Sequence, residues 1–137
     1  MRLSLASKYA ILTLIRLAAR GGGPATVREL AADGPVPEPY LAKLVPPLVR
    51  AGILASARGR GGGIALARPA EEISLAEIIR VTEGEASFRE CPFEVDPCPG
   101  NPDCPLAQVW DPVRDEVVDF FERTTIGSLA ARMRGQS

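Results

Sequence analysis

The chain has 137 residues, 46% hydrophobic and 24% charged, the size and balance of one globular domain that can bury its own core without staples. It contains no histidine, which excludes Ser-His and Cys-His nucleophilic sites and every histidine-containing zinc site, so no enzymatic reading is favoured. The net charge of −1 conceals a division: residues 1–70 carry ten Lys or Arg against three acids (+7), and residues 71–137 carry six against fourteen (−8). A basic half suits a phosphate-bearing partner, and the acidic half cannot lie along the same polyanion.

Residues 3–19 are rich in Leu, Ala and Ile, contain no Gly or Pro, and are apolar around most of the circumference, which predicts a largely buried helix. The richest apolar stretch, Tyr9–Leu17, is short and broken by Arg16; with no membrane span and no signal-peptide pattern, a cytoplasmic protein is expected. Gly21-Gly22-Gly23-Pro24 ends the helix. Thr26 with Glu29 three residues on has the pattern of a capping box, and Gly34 closes that short second helix. Residues 38–50 predict a third helix, interrupted by Pro46-Pro47; an interior proline costs about 3 kcal/mol, so a kink is expected at Val45 with the orderly part before it.

Ile53–Ala57 and Ile64–Ala67 flank Arg58-Gly59-Arg60-Gly61-Gly62-Gly63, which reads as a β-hairpin with a basic tip. Ser74 with Glu77 caps a fourth helix that stops at Gly84. Residues 85–105 hold all three cysteines and five prolines and are expected to be a loop. From Leu106, a stripe of Leu106, Val109, Trp110, Val113, Val117, Phe120 and Phe121 follows one face of a helix of about 20 residues, capped anew or kinked at Asp111-Pro112. A small chain has little interior left for such a stripe, so a second copy is expected to cover it; packing within its own subunit is the alternative.

Buried helix, short helix, turn, second helix and basic hairpin form the order of a winged helix-turn-helix: a mostly α fold with a small β-hairpin wing and a long C-terminal dimerisation helix. In that fold the second helix of the pair fits the major groove and the hairpin tip reaches phosphates or the minor groove. Arg58, Arg60 and Gly61 suit the tip, where glycines let backbone and guanidinium approach the sugar-phosphate wall closely. The glycine run lacks the Gly-Lys-Ser/Thr of a phosphate loop and the third glycine of a dinucleotide fingerprint. On the reading helix, Glu38, Tyr40 and Lys43 are the polar candidates: Lys43 for guanine or phosphate, Glu38 for cytosine. Cys91, Cys98 and Cys104 are spaced C-x6-C-x5-C, too widely for zinc knuckles and with no second pair to complete a tetrad. Thiolates in a proline-stiffened loop suit an iron-sulfur cluster, or remain inert or redox-active free thiols.

The segments MRLSLASKYAILTLIRLAA, VPEPYLAKLVPPLVRAGIL, ARGRGGGIALARP followed by EEISLAEIIRVTEG, the three-cysteine loop and FFERTTIGSLA resemble, in the same order and over nearly the whole chain, the winged-helix regulators that include the IscR, NsrR and RirA types. The resemblance implies a homodimer with crossed C-terminal helices, a palindromic double-stranded DNA operator, and a cluster, with two or four irons, whose presence, type or damage changes DNA affinity. It places Arg58 at the wing arginine and Cys91, Cys98 and Cys104 at the cluster cysteines. The fourth ligand differs: the histidine position of the IscR type is Ala107 here, and the aspartate position of the NsrR type is Lys8. Asp96, Asp103, Glu90, Gln108, an N-terminal residue of the partner subunit or a small molecule are the alternatives. The acidic residue that follows the reading-helix Tyr-Leu in the IscR type is Ala42 here, so the operator sequence need not be shared.

These readings divide the chain into a winged helix-turn-helix domain (1–83), a cysteine loop (84–105), and a dimerisation helix with a C-terminal tail (106–137). The expected function is a repressor-like, non-enzymatic regulator whose cluster senses iron, redox state or nitric oxide. Its rivals are a cluster-free regulator under thiol-redox or protein-partner control, and a small iron-sulfur electron-transfer protein, which would leave the basic wing without a purpose.

Overall fold

The computed structural model describes residues 3–57, 62–91 and 104–135. In chain order its elements are α1 (Leu5–Ala19), α2 (Val27–Ala32), α3 (Glu38–Arg50), β1 (Leu54–Ala57), β2 (Gly63–Leu66), α4 (Leu75–Glu83), α5 (Pro105–Arg123) and α6 (Ile126–Gly135). Two 3₁₀ turns, Ala70–Glu72 and Glu85–Arg89, precede and follow α4. The mostly helical fold with one antiparallel hairpin is the class expected from the sequence.

Because α1 is apolar nearly all round, it takes the middle of the molecule, with Ala10, Leu14 and Leu17 wholly buried against α3, α4 and α6. Ser4 Oγ starts it by accepting from the Ser7 amide at 3.1 Å. The chain then turns and runs beside β2: Ala25 and Ile64 exchange both backbone hydrogen bonds, at 2.9 and 2.8 Å. This contact needs glycine on both sides. A Cβ on Gly23 (φ +94°) would stand 2.6 Å from Ile64 O, and one on Gly63 (φ +149°) 2.5 Å from Ala25 O.

Both capping boxes form. Glu29 N donates to Thr26 Oγ1 at 3.0 Å at the start of α2, and Glu77 N donates to Ser74 Oγ at 3.2 Å at the start of α4. In α3, Leu41, Leu44 and Leu48 point inward. The helix continues through Pro46 and Pro47 to Arg50, contrary to the expectation of an orderly first half only. The two prolines leave the carbonyls of Ala42 and Lys43 without intrahelical donors, and both of those residues are exposed, where water can supply the bonds. Beyond them Ala51 N donates to Pro47 O at 3.1 Å and Ile53 N to Leu48 O at 3.0 Å. In the same way α5 runs unbroken through Pro112.

The C-terminal residues differ from expectation. Instead of a tail, residues 126–135 form α6, whose Ile126 and Ala130 complete the core beside α1. Ile126 N donates to Ile73 O at 2.8 Å and Leu75 N to Thr124 O at 3.0 Å, so the end of the chain is laced to the start of α4. Likewise residues 85–89, expected as loop, make a 3₁₀ turn because Phe88 is buried with Ala76 and Ile79, and Val118 and Phe121 of α5 pack on that small cluster.

Glu77 holds the entrance of α4 twice, through the capping box and through an ion pair with Arg68 at 2.7 Å. Burial pushes its carboxyl upward, but the hydrogen bonds from Arg68 and from the Ser74 amide outweigh this and hold it below its ordinary value of 4.5. A depressed carboxylate stabilises the fold above its unfolded value and loses that contribution as pH falls through the folded one. Unfolding free energy is therefore expected to decline as pH drops below 4.5, and Glu77→Gln to flatten that decline in urea titrations at stepped pH. An unchanged acid limb in the variant would remove Glu77 from the account.

Candidate nucleic-acid interface and thiol site

With its leucines turned inward, α3 shows solvent a face of Glu38, Pro39, Ala42, Lys43, Pro46 and Arg50. Glu38 and Lys43 stand on it as expected. Tyr40 does not: it is half-buried, its ring set edge-on against Tyr9 at 5.2 Å between centroids. Arg50 is a candidate the sequence reading missed, although it lies seven residues after Lys43 on the same face; the kink expected at Val45 had removed it from the wheel. Arg28 on α2 is exposed as well.

Not all of the basic half is available to a partner. Arg20 pairs with Asp33 at 3.0 Å, Arg16 donates to the Asp33 carbonyl, and Arg68 is held by Glu77. The first two pin the α1 C-terminus to the end of α2, fixing the helix that precedes the reading helix. The hairpin pairs Leu54 with Leu66 through to Ala57 with Gly63. Arg58, Arg60 and Gly61, between those ends, lie outside the described residues.

Cys91 follows the 3₁₀ turn at Glu85–Arg89, and Cys104 is the residue immediately before α5; both are half-buried free thiols. Trp110 Nε1 donates to Glu90 O at 3.2 Å, so the first turns of the helix that Cys104 precedes are tied to the residue beside Cys91. Arg80 braces the same region. Its guanidinium pairs with Glu85 at 2.5 Å and with Glu122, and lies 4.9 Å over the Phe88 ring, joining α4, the 3₁₀ turn and α5. The hydrogen bonds it donates to Glu122 and Glu85, with burial opposing, raise its already high pKa.

Among the described residues no three Cys, Asp or Glu side chains gather into a metal-binding group. Cys98, Asp96 and Asp103 lie outside the described residues. The donor chemistry fits an iron-sulfur centre, because thiolates are its usual ligands and Cys91 and Cys104 adjoin the two stretches that the Trp110–Glu90 hydrogen bond joins. Positions 8 and 107 supply no fourth ligand: Lys8 is an exposed cation and Ala107 has no donor atom.

The apolar stripe of α5 divides. Val109, Val113 and Phe120 are 65%, 47% and 45% exposed, and Leu106 and Val117 are half-buried beside them. Phe121 turns to its own subunit, 6.4 Å from the Phe88 ring, and Trp110 is engaged with Glu90. Both belong to the stripe expected at a dimer interface, and within the subunit they make these contacts.

A two-helix reading unit with a hairpin beside it, exposed cations on the second helix and an appended long helix define a winged-helix, DNA-binding transcriptional regulator, not an enzyme. Residues 3–132 match the family model of Rrf2, described as an iron-dependent transcriptional regulator, and the chain belongs to that family. It is 42% identical over 106 residues to protein aau3 of Rhizobium meliloti, covering 77% of this chain and 66% of that protein. It is 32% identical over 137 residues to the HTH-type transcriptional regulator CymR of Bacillus subtilis, covering 99% and 94%. The solved structure of B. subtilis CymR, titled the global cysteine regulator, matches with a TM-score of 0.78 at 34% identity over 96% of this chain and 98% of that one. T. potens IscR matches with a TM-score of 0.78 at 26% identity over 100% and 92%. No helix among the described residues is long and apolar enough to cross a membrane.

Proposed function

We propose that this regulator works in the cytoplasm as a homodimer on a palindromic operator, and that an iron-sulfur centre held by Cys91, Cys98 and Cys104 sets its affinity for that operator. Each α3 enters a major groove with Glu38, Lys43 and Arg50, and each hairpin tip sets Arg58, Arg60 and Gly61 against the neighbouring backbone. Val109, Val113 and Phe120 of one subunit meet their counterparts across the two-fold axis.

The observation that supports the regulatory half is the hydrogen bond from Trp110 to Glu90, which joins the first turns of α5, the helix that Cys104 precedes, to the residue before Cys91. A cluster would be held by the thiolates of Cys91, Cys98 and Cys104 and would supply a link between them that is sensitive to iron supply, oxidation or nitric oxide. The chain's own residues carry the consequence. Arg80 and Phe88 connect the segment before Cys91 to α4 and α5, so a shift there alters the pose of α4 against the dimer helix and the separation of two reading helices. Both half-sites must be engaged together, so a small change in separation weakens binding. The family's description as iron-dependent supports the same reading.

Anaerobically purified protein is expected to be coloured and to contain iron and acid-labile sulfide, and Cys91→Ala, Cys98→Ala and Cys104→Ala each to lose the visible absorbance while keeping the wild-type far-UV circular dichroism. A variant that keeps its spectrum is not missing a ligand. Colourless, metal-free wild-type protein that still binds duplex DNA would replace the cluster with thiol-redox or partner control.

A further inference from the structure

On the outward face of α3 the side chains able to hydrogen-bond a base, Glu38, Lys43 and Arg50, flank a strip of Pro39, Ala42 and Pro46 at i, i+3 and i+7 whose side chains offer neither donor nor acceptor. These three have almost no rotamer freedom to lose, so contact with a surface orders nothing further. The exposed cations Lys43 and Arg50 on this face, with Arg28 on the preceding helix, commit the face to a polyanion.

A base edge made of acceptors alone, such as guanine's, gives up water against such a strip and finds no side-chain partner, while the Ala42 carbonyl that Pro46 leaves without a helical donor accepts from an exocyclic amine. Thymine alone places a methyl group in the major groove. We infer that each operator half-site carries a thymine whose 5-methyl group packs on Ala42 between the two proline rings, so that the centre of the reading helix recognises its base pair by apolar contact and the flanks by charge. This rests on the DNA-binding reading above and names the base chemistry its reading helix takes.

The test uses full-length protein and a half-site enriched from randomised duplexes. Each thymidine is replaced in turn by deoxyuridine, which removes only the methyl group, and binding is followed by fluorescence anisotropy at fixed salt. One or two positions per half-site are expected to weaken binding by about three- to fivefold each, the size of one buried methyl. Ala42→Gly is expected to abolish the difference between the thymidine and deoxyuridine duplexes at that position while leaving the salt slope unchanged. Ala42→Ser, which keeps helix propensity nearer alanine's, serves as the second variant and is expected to shift base preference there. Tight, salt-dependent duplex binding with no deoxyuridine effect above about 1.5-fold at any position would overturn the inference and leave the DNA-binding reading standing. Failure to enrich or bind any duplex would instead overturn that reading, and this one with it.

Discussion

Lys43→Ala combined with Arg50→Ala is expected to weaken operator binding by at least about 100-fold and to make the dependence of log affinity on log salt shallower by about 2 to 4. Both side chains stand on the exposed face of α3, and a two-fold dimer presents each twice, so the double variant withdraws four cations from one operator. A phosphate contact contributes nearly one unit of salt slope, whereas a base contact contributes affinity and discrimination with little slope. The slope therefore apportions the two roles: a loss near four assigns both residues to the backbone, and a loss near two assigns one of them to a base edge. Neither side chain fills the core, so stability should change by no more than about 0.5 kcal/mol in urea unfolding. Unaltered affinity with unaltered slope would mean that α3 does not face the duplex. Arg58→Ala, at the hairpin tip, is expected to act in the same direction and to add to the double variant.

Val113→Glu combined with Phe120→Glu is expected to convert the dimer to monomers and to reduce affinity for the palindrome to that of one half-site, about 100-fold or more weaker. The two positions belong to the outward stripe of α5, with Val109 the most exposed of its large side chains. At a two-fold interface each new carboxylate faces its own copy, so apolar burial is lost and like charges are brought together. Sedimentation velocity reads the result as the mass of a single chain. Phe121→Glu is the contrasting control: Phe121 packs on Phe88 and on the cluster of Ala76 and Ile79, so that substitution should lower stability first. A dimer that survives both glutamates would place the subunit interface elsewhere.

Local signals carried the reading of this fold furthest. The two capping boxes require only residues three apart, and Thr26 with Glu29 and Ser74 with Glu77 form as read. The hairpin is visible as two apolar stretches about a glycine run, and the third helix is expected over residues 38–50, the range it takes. What escaped depended on distant partners. IGSLAARMRG has a weak apolar period, and only Ile73 and the side of α1 make Ile126 and Ala130 core residues. Tyr40 carries a polar atom and falls near the reading face on a helical wheel, yet Tyr9, thirty-one positions earlier, draws its ring inward. Phe121 sits beside Phe120 on any apolar tally, and the buried Phe88 decides which of the two turns toward the fold. Pro46-Pro47 misled for a chemical reason: propensity scales charge each missing donor, while here the carbonyls left over belong to exposed residues that water can satisfy. Of the site, residue types and spacing proposed the wing arginines, which lie outside the described residues, and the thiols, but not the brace of Arg80 on Glu85, Glu122 and Phe88, since nothing in an arginine's sequence neighbourhood names a partner forty-two residues away.

The central claim is that the state of the thiol site governs the grip on DNA. It is tested most directly by titrating one enriched operator, without oxygen and at one salt concentration, with cluster-loaded protein and with the same preparation after its iron has been chelated. Dissociation constants that differ by at least about tenfold, with Cys98→Ala behaving as the chelated form under both treatments, are the predicted result. Equal constants for the two preparations, at matched dimer concentration, would contradict it.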